Sequence, residues 1–214
     1  MTQAGTGLPL DAHMVFALLF LMLGPIKILA PFVRMTQGTD IVFRRRLATR
    51  AIVYATIAMA MAAVMGPNVL ERYGVPVAVL RLTGGIVLFL VALRTVLRQF
   101  QDVAAADAEP PSLKHAFSPL AFPTVVTPYG IATVIIFMAL AAGDRATQAM
   151  VMGLVLLILA LDWVAMLFAH AVLRWLGPAL QISGVVLGVT QVAIGLHMML
   201  AALAALGVIP LRVG

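Results

Sequence analysis

Six apolar runs, each close to twenty residues long, dominate this chain: 12–33, 47–66, 76–97, 119–142, 149–172 and 184–208. A hydrocarbon core about 30 Å thick takes about 20 helical residues to cross. Inside it, backbone groups find no water, so each run has to bond within itself as a helix. Composition agrees. Hydrophobic residues fill 63% of the 214 positions and charged residues 10%, at a mean hydropathy of +1.10. A soluble domain carries about a quarter charged residues. The chain reads as an all-α integral membrane protein with six transmembrane helices and no separate soluble domain. Its first run, led by Asp11 and His13 with no basic segment before it, reads as a retained helix rather than a cleaved signal.

The net charge of +6 bears on topology. Arg34, Arg44, Arg45 and Arg46 between the first two runs, and Arg50 at the start of the second, lie on the same side as Arg94, Arg98, Lys114 and Arg174. The other side holds Arg72, Arg81, Arg145 and Arg212. Basic residues favour the cytoplasmic side, which puts both termini outside a cell (inner) membrane. The Arg44–Arg46 cluster is a topology anchor with some anionic-lipid contact. No aromatics interleave it, so no nucleic-acid partner is expected. There is no cysteine, which removes disulfides, thiolate metal sites and cysteine nucleophiles. The four histidines are scattered without zinc-ligand spacing, so neither metal nor cofactor is expected.

Residues 99–118, QFQDVAAADAEPPSLKHAFS, are polar and broken by Pro110-Pro111, and read as a cytoplasmic linker loop. Three runs lie on each side, in residues 1–98 and 119–214. The halves echo one another: RLTGGIV from Arg81 matches QISGVVL from Gln181, and Pro25 and Pro31 match Pro123 and Pro128. An odd number of spans per repeat forces the repeats to run antiparallel. The expected architecture is two inverted three-helix repeats, with the first helix of each interrupted, a plan that recurs in secondary transporters. Gly24, Pro25 and Pro31 would make one break, and Pro123 and Pro128 the other. Meeting near the midplane, the breaks would hold a small polar solute between half-helix ends of opposite partial charge. The competing reading is that these prolines merely kink their helices.

The segments LGPIKILAPFVRMTQGTD, GVPVAVLRLTGGIVLFLVALR and AFSPLAFPTVVTPYGIATVII, in this order, resemble the MarC family of six-span membrane proteins over essentially the whole chain. The resemblance implies a fold related to the LysE-type exporters, and some family members are associated with transport of small neutral amino acids. The family's first break typically reads Asn-Pro-x-Gly-x-x-Pro-x-Phe. Here Gly24 stands for the Asn and Lys27 for the Gly, and the second proline comes one place late, at Pro31.

Intramembrane charges are costly and mark function or pairing. Lys27 and Asp162 fall at similar depths, so an ion pair between them is expected, as a structural clamp or as a proton-coupling element. The solute-binding candidates are Lys27, Thr124, Thr127 and Tyr129, with Thr83, Ser183 and Gln191 around them. Gly84-Gly85 and Gly184 read as helix-packing positions. No nucleotide-binding motif or catalytic constellation appears, so the chain is not expected to be an enzyme. The leading expectation is a secondary transporter or exporter of a small polar metabolite, a neutral amino acid being one candidate. The alternative is a channel-like or accessory membrane protein. The expected partners are a small solute and the lipid bilayer, and the pattern is compatible with a homo-oligomer.

Overall fold

A computed structural model describes residues 11–98 and 112–210, apart from the side chains of Thr95, Arg98 and residues 176–183. The described residues form helices joined by short turns, without strands. The elements are α1 (Ala12–Leu23), α2 (Ile26–Met35), α3 (Ile41–Arg72), α4 (Val77–Arg98), α5 (Pro128–Leu140) and α6 (Arg145–Ala205). A 3₁₀ turn (Leu113–Ala116) and an irregular helical segment (Phe117–Val125) precede α5. Among the described residues five helical segments are long and apolar enough to cross a membrane, and the bent pair Leu113–Val125 and Pro128–Leu140 brings the number to six when it is counted as one span.

The 61 residues of α6 would reach about 90 Å if straight, three times the hydrocarbon thickness. They carry two spans, the arms Arg145–Trp175 and Gly184–Ala205. His170 on the first arm meets Thr36 at the end of α2, whereas Gln191 on the second reaches back to Leu21 in α1. The arms therefore run in opposite directions. Asp144 caps the first arm by accepting from the N–H of Ala146, and the Thr147 hydroxyl, which also donates to it, holds its exposed carboxyl below the usual range.

Expected and observed boundaries differ in three places. First, the arginines 44–46 do not lie in a loop. The carboxylate of Asp40 accepts from the N–H of Phe43 at 3.1 Å and starts α3 early, so the cluster occupies its first turns. Second, Pro31 lies inside α2, leaving the break at Gly24-Pro25. Third, the stretch expected as linker ends early: residues 112–118 already enter the 3₁₀ turn and the irregular helix, while 99–111 lie outside the described residues.

The broken helix α1–α2 occupies the middle of the bundle. Leu19, Leu23, Ile28 and Phe32 are fully buried, packed with Ala48, Ala51, Ala55, Met59 and Ala63 of α3 and with Val151, Val155, Ile158 and Met166 of α6. The alanine seam on α3 repeats every three or four residues and brings backbones close. In lipid this matters more than apolar burial, because lipid tails are as apolar as leucine. Helix α4 packs most closely against the second arm of α6. A Cβ on Gly195 would stand 2.8 Å from the Phe89 nitrogen, and one on Gly85 2.9 Å from the Gly195 carbonyl oxygen. Only glycine allows these two backbones to touch.

Candidate functional site

Proline has no N–H, so Pro25 cannot bond the Leu21 carbonyl as the next residue of a helix would. Gly24 ends α1 in an extended conformation with its own N–H on Phe20 at 2.8 Å, and a side chain there would collide with that carbonyl. The last carbonyls of α1 are left without helical partners at mid-span, where orphan groups must be bonded by protein. Three side chains supply the donors. The amide nitrogen of Gln191 bonds the Leu21 carbonyl at 2.7 Å. The ammonium of Lys27 bonds the Met22 carbonyl. The hydroxyl of Thr127 approaches the same Met22 oxygen at 3.4 Å.

Thr127 belongs to the second break. The segment before it contains non-helical backbone at Ser118 and Phe122, and the direction turns by 62° between Val125 and Pro128. Pro128 starts α5 at a position where its missing N–H costs nothing, and Thr127 caps that helix by accepting from Gly130 at 3.1 Å. The negative end of α1 thus faces the positive end of α5, which is favourable for both. Tyr129, on the first turn of α5, is buried, with the Lys27 ammonium 5.4 Å from its ring centroid.

Beside this junction lies a cavity of about 520 Å³ between α1–α2, Tyr129 and both arms of α6. Apolar side chains make most of its wall; the polar groups on it are those of Lys27, Arg34, Gln37, Tyr129 and Gln191. Two of these are cations, and none of the lining residues is Asp or Glu.

The structure thus brings together Gly24, Pro25, Lys27, Thr127, Tyr129 and Gln191. It does not bring in Thr124, whose hydroxyl bonds Pro119 at 2.7 Å, or Thr83, which is exposed and bonds Val79 of its own helix at 3.0 Å. Pro123 is exposed on the irregular segment. The side chain of Ser183 lies outside the described residues. Gly184, expected to pack a helix, has no neighbour within 4 Å of where its Cβ would be and lines the cavity instead. The expected Lys27–Asp162 ion pair is not formed: both Asp162 oxygens are buried without a hydrogen-bond partner, and Lys27 spends its ammonium on Met22. The two charges are still near enough to act on one another. His170 leaves Asp162 alone and stands 3.4 Å from the Thr36 hydroxyl and edge-on to Phe32. Arg34 and Gln37 had a signal that sequence inspection passed over: with Lys27 and Ala30 they recur at helical spacing, i, i+3, i+7 and i+10.

The broken helices, their meeting point and their spacing can be set against known proteins. A family model described as "MarC family integral membrane protein" matches residues 12–206. The chain belongs to the MarC family. A UPF0056 membrane protein of Methanocaldococcus jannaschii is 26% identical over 190 residues, which cover 86% of this chain and 92% of the relative. One from Archaeoglobus fulgidus is 25% identical over 165 residues, 76% of this chain and 77% of the relative. The UPF0056 inner membrane protein MarC of Escherichia coli K12 is 27% identical over 119 residues, 52% of this chain and 54% of that protein. No solved structure matches. Within the MarC family, then, this chain carries a lysine at its first helix break, and that lysine is both a structural donor and part of the cavity wall.

Proposed function

We propose that this MarC protein is a secondary transporter of a small polar metabolite bearing a carboxylate. It would work by alternating access between two inverted repeats, residues 1–98 and 119–214, with both termini outside the cytoplasm. The observation that carries this reading is the contact of Thr127 with the Met22 carbonyl, which joins one break to the other beside the cavity. Unwound backbone at membrane depth is tolerated where it is bonded or lines a cavity, and transporters put their solute sites there. A volume of about 520 Å³ falls within the range of small-molecule sites, about 300–1,000 Å³.

The donor set favours an anionic group. Lys27 and Arg34 offer positive charge without a carboxylate among the lining residues. The Met22 carbonyl, which could have received a solute ammonium, already holds that of Lys27. A neutral amino acid would place its carboxylate well and its ammonium badly.

Equilibrium binding of lactate, alanine and lactamide to purified protein tests this. The three share a skeleton and carry a carboxylate alone, a carboxylate with an ammonium, and neither. Lactate should bind most tightly, and Lys27→Met should weaken it at least tenfold while the protein stays folded. Equal binding of all three, or of none, would overturn the anion preference.

A further inference from the structure

Asp162 is the one buried carboxylate among the described residues, with 0% of its surface exposed and neither oxygen hydrogen-bonded. A bare carboxylate in that position carries a large desolvation cost. Two arrangements relieve it. The carboxyl can hold a proton, or the Lys27 ammonium can leave Met22 and close onto it. In the first, Lys27 stays on the cavity wall, available to a solute carboxylate. In the second, Asp162 consumes the charge that the solute needs.

We infer that Asp162 is a proton-binding site coupled to the cavity, so that one proton is taken up onto its carboxyl with each solute anion bound beside Lys27. The inference rests on the anion-site reading given above. Its proton comes from water and returns to water when the anion leaves, and no other bond changes. Because coupling is reciprocal, the anion strengthens proton binding as much as the proton strengthens anion binding. Transport of the anion would then be driven by a proton gradient.

The other titratable groups around Asp162 do not share this role. Lys27, from α2, is the charged group that acts on it, and Arg34 lies two turns further along that helix on the cavity wall. Helix α1 carries only His13, in its first turn, and the segment Phe117–Val125 carries none. On α3 the titratable groups are Arg44, Arg45, Arg46, Arg50 and Tyr54 in its N-terminal half and Glu71 and Arg72 at its far end; Arg44 acts on His170, and Lys27 is the charge that acts on Asp162. On α4 the cations with described side chains are Arg81 and Arg94, towards its two ends, and α5 offers only the Tyr129 phenol, which faces Lys27. On α6 itself, His170 lies two turns away against Thr36, Arg145 and Arg174 stand towards the two ends of the first arm, and His197 is on the second arm.

Lactate is the probe. Its affinity for the wild type should fall as pH rises above the point where Asp162 loses its proton, approaching roughly tenfold per pH unit. A pH-indicator dye in weak buffer should record one proton taken up per lactate over that range. Asp162→Asn mimics the protonated carboxyl. It should bind lactate at every pH as tightly as the wild type does at low pH, with no proton uptake, whereas His170→Gln should keep the wild-type slope. Lactate binding with a flat pH profile and no proton uptake overturns the coupling and leaves the anion site standing. So does a slope that survives in Asp162→Asn. Absence of lactate binding at all pH values overturns the anion site, and the coupling with it. If Asp162→Asn does not fold, absence of proton uptake by the wild type alone still overturns the coupling.

Discussion

The hydroxyl of Thr127 lies 3.4 Å from the carbonyl oxygen of Met22, across 105 residues of sequence, and ties the start of α5 to the end of α1. The same hydroxyl accepts the N–H of Gly130 at 3.1 Å, so one side chain caps one half-helix and closes another. Both halves of the protein have a proline-broken helix, and this is where the two breaks touch.

Replacing Thr127 by Val keeps the shape and removes both bonds. A lost cap, with one of two donors removed from a carbonyl that Lys27 still bonds, should cost about 1 kcal/mol. Thr127→Ser should cost little. Thermal unfolding in detergent compares the two, and a Val variant as stable as the Ser variant would show that the junction contributes nothing.

Gln191 does for Leu21 what the missing N–H of Pro25 cannot. Gln191→Leu should therefore destabilise by about 1 kcal/mol, near the range of polar contacts between membrane helices. Adding Pro25→Ala returns a backbone donor at position 25 and should recover part of that loss. The two effects are then non-additive in a double-mutant cycle. Simple additivity would separate the amide from the break.

Gly195 and Gly184 lie on the same arm of α6 and should respond in opposite ways. Gly195→Ala drives a methyl to 2.8 Å from the Phe89 nitrogen, a backbone atom that cannot step aside, and should cost about 1–3 kcal/mol. Gly184→Ala meets nothing within 4 Å and should leave stability equal or raised by up to about 1 kcal/mol. Because Gly184 lines the cavity, that variant should still weaken lactate binding. Unfolding midpoints and binding constants on both variants check the contrast.

The chain has no cysteine, so single-cysteine variants report topology without background. By the distribution of basic residues, Ile41→Cys should react with an impermeant thiol reagent only from the cytoplasmic side. Tyr73→Cys and Ala142→Cys, at exposed positions beyond the ends of α3 and α5, should react only from outside. Labelling in intact cells against inside-out vesicles reads this directly, and the reverse pattern would invert the orientation.

Membrane residence, the mainly helical state of the apolar runs and the breaks at Gly24-Pro25 and before Pro128 are legible in the amino-acid sequence, whereas Pro31, read as part of the first break, lies inside α2. Each depends on properties that are local along the chain. Hydropathy sums over twenty neighbouring residues, and a proline removes its own N–H wherever it stands. Lys27, Thr127, Tyr129 and Gln191 stand out for the same reason, as polar groups in apolar runs. Thr83 and Thr124 stand out equally, yet each satisfies its hydroxyl on a nearby carbonyl and stays away from the cavity.

The pairings were decided only by the tertiary structure. Counting residues along two spans gives the depth of Lys27 and of Asp162 in the membrane, but an ion pair also needs both side chains to point along one line between the helices. That direction depends on how α1–α2 rolls against α3 and α6, which depends on the alanine seam and on contacts between residues more than a hundred positions apart. The donors at the break were likewise hidden, because the Leu21 and Met22 carbonyls belong to backbone and look the same in every sequence. Local sequence could name the Asp162 carboxylate as a partner for Lys27, but the fold put the ammonium on the carbonyl of Met22 and left the Asp162 oxygens without a hydrogen bond.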